Sequence, residues 1–163
     1  MAKASNAETV FVLCVGTPFT AGAERRADAG IFAVELVGNE PTLKDHWYAS
    51  EDPNVVVPQG SLVSFDEHTV GFSGNAESNH DEFWILDFST RSGQLLYEAE
   101  ESFVLGQGSF SQGTQLLFVP HTKLGLLRYK REDSGELSAL PTINVSPSRK
   151  LPPREIRILS LND

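Results

Sequence analysis

Histidine and acidic side chains are the residues of this chain best suited to acid–base or metal chemistry. The histidines are His46, His68, His80 and His121. None of them has a second histidine four residues away, and none belongs to a Cys/His framework, so a structural zinc site is not predicted. All four fall in or beside predicted turns. Because turns at one end of stacked sheets converge, His68, His121 and Asp66 are candidates for a catalytic or metal cluster, with solvated loop residues as the alternative.

The densest set of oxygen-bearing side chains lies between Gly74 and Glu82. Carboxylate and amide oxygens suit calcium, which makes Asn75, Glu77 and Asp81 candidate calcium ligands. The spacing of an EF-hand loop is missing, however, and a polar loop between two strands has the same composition. Calcium is therefore one alternative, and the absence of any bound cofactor is the other.

Motifs for nucleotide binding or nucleophilic catalysis are absent. The segment Gly106-Gln107-Gly108 lacks a third glycine and a following helix, which excludes the dinucleotide fingerprint. No Gly-x-Ser-x-Gly elbow occurs, and turn chemistry explains the serines of 108–113. Enzymatic activity stays open, but these observations favour a non-enzymatic protein.

Composition restricts the partners and the compartment. The formal charge of −9 repels phosphate backbones and anionic lipid, so neither nucleic acid nor a membrane is an expected partner. The single cysteine, Cys14, excludes an intramolecular disulfide. It lies in the apolar run Val10–Val15, so we expect a buried thiol in a reducing, cytoplasmic setting.

The hydrophobic pattern predicts strands almost throughout the chain. Apolar runs of about four to eight residues, rich in Val, Ile, Phe and Leu, alternate with Gly, Pro, Asn, Asp and Ser. Among the predicted strands are Glu8–Val15, Thr69–Ser73, Glu82–Ser89 and Phe103–Ser109. The segment Ala21–Ala29 is too short for an independently stable helix, and a loop is expected there.

The same order of elements recurs along the chain. A strand, a polar turn and another strand appear at 59–72 and again at 107–118, each followed by a strand and a Ser-Gly turn. A period of about 40 to 50 residues is typical of propeller blades. We therefore divide a single domain, 1–163, into units 8–50, 51–98 and 99–145. A Pro-rich linker and a terminal strand follow at 146–163.

Two stretches of the repeat resemble a known family. "WILDFSTRSGQL" resembles the third strand, turn and fourth strand of a blade in WD-repeat or TolB-like propellers, and "GSFSQGTQLLFV" resembles the first two strands of the next blade. The second stretch keeps Ser111 and Gly113 of the family's turn but lacks its proline and aspartate. The resemblance covers roughly Gly30–Leu140. It implies an all-β fold of about three four-stranded antiparallel sheets, and a β-barrel or β-sandwich is the alternative.

The uncovered faces of the first and last sheets indicate how such a protein functions. A four-stranded sheet cannot cover both of its faces, so neighbouring sheets must stack on it, and a ring typically needs at least four blades. We therefore expect a protein-binding or assembly module that forms a homo-oligomer or pairs with another protein. A small-molecule or sugar-processing enzyme and a lipocalin-like ligand binder are the alternatives.

Overall fold

The computed structural model describes residues 8–16, 22–37, 40–75 and 80–145. Within these ranges the chain forms eleven strands and one short helix, α1. The first sheet contains β1 (Glu8–Val15), β2 (Ala29–Val37) and β3 (Glu40–Tyr48), with α1 (Gly22–Asp28) between β1 and β2. The central sheet contains β4 (Val57–Ser64), β5 (Thr69–Asn75), β6 (Asp81–Asp87) and β7 (Ser92–Glu98). The third sheet contains β8 (Ser109–Ser111), β9 (Leu116–His121), β10 (Gly125–Arg131) and β11 (Leu137–Ile143).

Each sheet is an antiparallel meander in which neighbours in sequence are neighbours in space. The strand orders are β1-β2-β3, β4-β5-β6-β7 and β8-β9-β10-β11. The three sheets lie within 8–50, 51–98 and 99–145 respectively. The described strands form three separate sheets, so the alternatives of one barrel, lipocalin-like or otherwise, and of a two-sheet sandwich are wrong. The expected all-β fold of propeller-blade-like sheets is confirmed.

Among the described residues the first sheet has three strands, one fewer than each of the other two sheets. The terminal strand predicted within 146–163 lies outside those residues. The β2–β3 pair of the first sheet matches β6–β7: the amide of Ala49 donates to the carbonyl of Ala29 (2.9 Å), as the amide of Ala99 does to that of Asp81 (2.8 Å). By this match β1 corresponds to β5. Among the described residues, the first sheet therefore has no counterpart of β4.

The central sheet is covered on both faces. One face, with Phe72, packs on Ile31 and Trp47 of the first sheet, and the Trp47 and Phe72 rings lie 6.0 Å apart. The opposite face, with Phe83, packs on Leu117 of the third sheet. Successive residues of a strand point to opposite faces of the sheet, so residues adjacent in the sequence of β5 pack into different cores.

The helix α1 corrects the expectation of a loop at 21–29. Its Arg26 guanidinium donates to the carbonyl oxygens of Ala49, Asp52 and Val55 at 2.8, 2.7 and 2.8 Å. These bonds tie the helix to the connection between the first and central sheets. Tertiary contacts thus stabilise a segment that is too short to be helical in isolation.

The predicted strand Phe103–Ser109 forms only in part: regular pairing starts at β8, and before it Leu105 forms an isolated antiparallel bridge with His121. The carboxylate of Asp81 accepts hydrogen bonds from the amides of Phe103, Val104 and Leu105 at 3.0, 2.8 and 3.0 Å. These amides donate to a side chain, and the backbone bonds beside Leu105 run from the amide of Gly106 to the carbonyl of Pro120 and from the amide of Thr122 to the carbonyl of Val104, both at 2.9 Å. The connection from the central to the third sheet is anchored there.

Cys14 is exposed, which corrects the expectation of a buried thiol. Strand alternation places Phe11 and Leu13 against the core and leaves Cys14 on the other side of β1. Across residues 8–16, 22–37, 40–75 and 80–145, no helix has the length and hydropathy needed to span a bilayer.

Candidate functional site

The face of the first sheet that points away from the central sheet is apolar, and we call it the outer face. Register places Val10 opposite Val34, Val12 opposite Phe32, and Leu43 opposite Val34. Leu36, His46 and Tyr48 occupy the same face. Since these residues alternate with the core residues, the sheet is apolar on both sides.

Side chains on the outer face are partly solvent-accessible. Val12 is 43% exposed and Leu43 is 57% exposed. Phe32, His46 and Tyr48 form an aromatic group, with the Phe32 and Tyr48 rings 5.6 Å apart and the His46 and Tyr48 rings 5.2 Å apart. Strand spacings give the face an area of about 380 Å². An apolar patch of this size on a protein surface is often an interaction site.

The third sheet has a mixed outer face. Phe118 of β9 lies opposite Arg128 of β10, which lies opposite Leu140 of β11. Leu126 and Ile143 continue the apolar part, and Ile143 is exposed. The two terminal sheets thus both carry apolar side chains on the faces that the central sheet does not cover.

A cavity of about 240 Å³ lies where the end of β7 meets the turn between β9 and β10. It is lined by Tyr97, Glu98, Glu100, Glu101, Val104, His121, Lys123 and Leu124. Lys123 forms an ion pair with Glu101 at the surface.

His121 is the buried titratable residue of this cavity. Its Nδ1 accepts hydrogen bonds from the amides of Lys123 (3.1 Å) and Leu124 (3.2 Å), so the ring proton of the neutral form is on Nε2. Burial lowers the pKa of His121 below its usual 6.5, although the charge of Asp81 acts in the opposite direction. A neutral imidazole with Nδ1 occupied can donate a hydrogen bond from Nε2 to a ligand.

Tyr97 packs against His121 with the two rings perpendicular and 5.8 Å apart. Burial, together with the negative charge of Glu100, raises the pKa of the Tyr97 hydroxyl. Behind it, burial raises the pKa of Tyr129 to about 12. Both phenols are therefore protonated near neutrality and act as hydrogen-bonding groups.

The structure does not bring His121 together with His68 and Asp66. His68 and Asp66 lie in the turn after β4, while His121 ends β9 at the opposite end of the sheets. Asp66 pairs with Arg131 at 2.6 Å and accepts the amides of His68 (2.8 Å) and Thr69 (2.7 Å). Burial alone would raise the pKa of Asp66, but these hydrogen bonds outweigh it and lower the pKa below 3.8. Asp66 therefore stabilises a turn between two sheets.

Of the three calcium candidates, Asn75 and Asp81 are neighbours and Glu77 lies outside the described residues. The Asn75 amide nitrogen donates to an Asp81 oxygen at 3.1 Å. Both Asp81 oxygens also accept backbone amides, as described above. Because Asp81 already accepts four N–H groups and Asn75 presents its nitrogen, this pair is arranged for structure and not as a calcium ligand set.

Sequence reasoning missed the outer face of the first sheet. The signal was present, since Val10 and Val12 are apolar at the positions that alternate with Phe11 and Leu13. Such a continuous run predicts a strand covered on both faces. The run thus predicts burial of every residue in it, whereas its outer positions, Val10 and Val12, are exposed.

Comparison with known proteins gives limited information. The sequence matches no protein family and no curated protein. Among solved structures, the chain is similar to the β-propeller domain of the trilobed protease from Pyrococcus furiosus, which has an open velcro topology. The TM-score is 0.44 and the identity 16%, over 80% of this chain and 38% of that one. The fold assignment above rests on sheet order and register, independently of this likeness.

Proposed function

We propose that this protein is an assembly module of propeller type that binds a second copy of itself. The outer face of the first sheet docks on the outer face of the third sheet of the other copy, and the reverse contact forms at the same time. The single observation that carries this proposal is the exposed apolar outer face around Val12 and Leu43. Such faces are covered within the chain wherever two sheets meet.

The size of the contact supports pairing of two copies. Each outer face supplies about 380 Å², and two reciprocal contacts would bury about 1,500 Å² in total. This is within the range of stable protein interfaces, whereas one contact alone would be weak. Reciprocal docking also has the two-fold symmetry that most homodimers share.

Charge favours a protein partner over a nucleic acid or a membrane. The chain carries a formal charge of −9. A face rich in Val, Leu and aromatic residues has no positive groups to bind phosphate. Arg128 and Lys130 on the third sheet are the basic residues of the opposing face, and they reduce the repulsion between two acidic chains.

The molecular mass in solution, measured by light scattering, tests the proposal. The wild-type protein should have the mass of two copies, and Val12→Glu should have the mass of one, because the contact would bury an unpaired carboxylate. Leu140→Glu on the third sheet should also give single copies. Leu95→Glu is the matched control, since Leu95 is 40% exposed but belongs to the central sheet.

Two outcomes would overturn the proposal. A single-copy mass for the wild-type protein would show that no partner copy covers the outer face. If Val12→Glu separates the copies while Leu140→Glu does not, the first sheet docks on itself and the reciprocal arrangement is wrong. Circular dichroism must show that each variant remains folded.

We also propose that the protein is located in the cytoplasm. The thiol of Cys14 has no partner cysteine in the chain, and unpaired thiols persist best in a reducing compartment. Cell fractionation checks this location, and recovery of the protein from an oxidising compartment would contradict it.

A further inference from the structure

Three side chains at the start of the β6–β7 hairpin direct ligand atoms at one point. The His80 Nε2 lies 3.0 Å from Glu82 Oε1 and 3.1 Å from Glu98 Oε1. All three atoms are within 4.8 Å of one another. His80 directly precedes β6, and Glu82 and Glu98 are cross-strand partners in β6 and β7. We call this group the His80 cluster.

The two carboxylates need a positive charge between them. Like charges directly opposite each other on neighbouring strands destabilise a sheet. Here the Glu82 side chain is only 12% exposed, whereas that of Glu98 is 58% exposed, so water screens the repulsion from the Glu98 side alone. A cation between the carboxylates would convert this repulsion into attraction.

Trp84 orients one of the carboxylates. Its indole N–H donates to Glu82 Oε2, while Glu82 Oε1 faces His80. The ring of Trp84 is buried, which holds this donor in place. Hydrogen bonds of this kind, from a second layer of residues to a ligating group, fix the orientation of ligands in metal sites.

A single hydrogen bond from His80 explains the geometry less well than a metal ion. An Nε2–H group points well at one acceptor, whereas two carboxylate oxygens lie at nearly equal distances from this nitrogen. Ligand atoms bound to one zinc ion at about 2.1 Å are separated by about 3.4 Å at a tetrahedral angle and by about 3.0 Å at a right angle. The two separations from His80 Nε2 fall in this range, and the two carboxylate oxygens lie within 4.8 Å of each other.

We propose that His80, Glu82 and Glu98 bind a divalent transition-metal ion, with zinc as the best-fitting ion. One imidazole nitrogen and two carboxylate oxygens form an intermediate ligand set that suits zinc better than calcium, which prefers oxygen alone. Three protein ligands leave at least one position for water or a small ligand. Glu98 also lines the cavity that contains His121, so the site borders that cavity. This inference is independent of the proposed self-association.

Zinc titration of untagged, metal-stripped protein tests the site, with competition against a chromophoric chelator as the readout. We expect one zinc ion per chain. Glu98→Gln should weaken zinc binding at least about tenfold, as should His80→Ala, because each removes a ligand. Glu98 is 58% exposed, so its variant should fold even if changes at the less exposed His80 impair folding.

His68→Ala is the matched control. His68 also lies near a glutamate, with its Nε2 3.5 Å from Glu67 Oε1, but it is well exposed and belongs to another turn. Zinc binding should be unchanged in this variant. Trp84→Phe should weaken binding by about 10- to 100-fold through loss of the orienting N–H. Zinc binding that is absent from the wild-type protein, or that is equal in the wild-type, Glu98→Gln and His80→Ala proteins, would overturn the proposal.

Discussion

Two charged side chains, Arg26 and Asp81, hold the connections between the three sheets. Arg26 donates three hydrogen bonds to carbonyl oxygens of the first connection, and Asp81 accepts three backbone amides of the second. A buried charge is tolerated only where hydrogen bonds replace its lost hydration. Both residues therefore stabilise the folded chain, although arginine and aspartate are also residue types that catalyse reactions.

At the scale of single residues, His121 should make the free energy of unfolding depend on pH. Its pKa is lowered by burial in the folded protein, so the unfolded chain binds a proton first as the pH falls through 6.5. The stabilisation that the neutral His121 ring contributes is fully present above pH 6.5. It is lost as the pH falls towards the lower pKa of the folded state. Urea unfolding measured on both sides of that pH should therefore show a lower free energy of unfolding on the acid side.

The variants His121→Asn and His121→Phe separate this titration from the hydrogen bonds of the ring. Asparagine keeps an acceptor near the position of Nδ1, so the amides of Lys123 and Leu124 stay paired while the pH dependence weakens. Phenylalanine also removes the titration, but the unpaired amides should lower the free energy of unfolding by about 1–3 kcal/mol at every pH. An unchanged acid-side loss in both variants would show that another group is responsible.

At the scale of elements, β5 illustrates how tightly neighbouring sheets approach. A Cβ added at Gly71 would lie 2.8 Å from Cε1 of Phe83 and 3.0 Å from Cε2 of Phe65. Both rings belong to the core between the central and third sheets. The glycine is required by this close packing, and not by a turn.

Gly71→Ala should therefore destabilise the protein through overpacking. We expect a loss of about 1–3 kcal/mol in the free energy of unfolding, measured with a chemical denaturant. Gly113→Ala is the control, because nothing lies within 4 Å of a Cβ at that position. Its effect should stay within about 0.5 kcal/mol. Equal stability of the two variants would mean that the rings move aside freely.

At the scale of the whole molecule, the central sheet should be the most stable part. It contributes to both cores, with Phe72 on one side and Phe83 on the other. Among the residues that the structure describes, the first and third sheets each have one face covered. Local opening is easiest where fewest apolar contacts are lost, so the terminal sheets should open first.

Hydrogen exchange measured by mass spectrometry checks this order. Amides in β5 and β6 should exchange most slowly, and those in β3 and β11, which are edge strands of the terminal sheets, should exchange faster. The comparison is made on Val12→Glu, so that association does not protect the outer faces. Equal protection in β6 and β11 of this variant would contradict the order.

The sequence by itself determined the all-β architecture and the order of its elements. Short apolar runs bounded by turn residues identify β5 and β6, because strand alternation and turn chemistry are local properties of the chain. The repeat also indicated separate sheets, since each meander is built from neighbours in sequence. Predictions failed where local signals were overridden: Arg26 anchors a helix in an expected loop, and Asp81 binds backbone amides of an expected strand that forms only in part.

Only the tertiary structure decided which side chains meet. It separates His68 from His121 because successive turns of a meander alternate between the two ends of a sheet. It joins Glu82 to Glu98 through strand register, and it leaves Cys14 outside because the neighbouring sheet covers the other side of β1. These pairings depend on how sheets stack and on contacts between residues far apart in the chain, and no local pattern of residues encodes them.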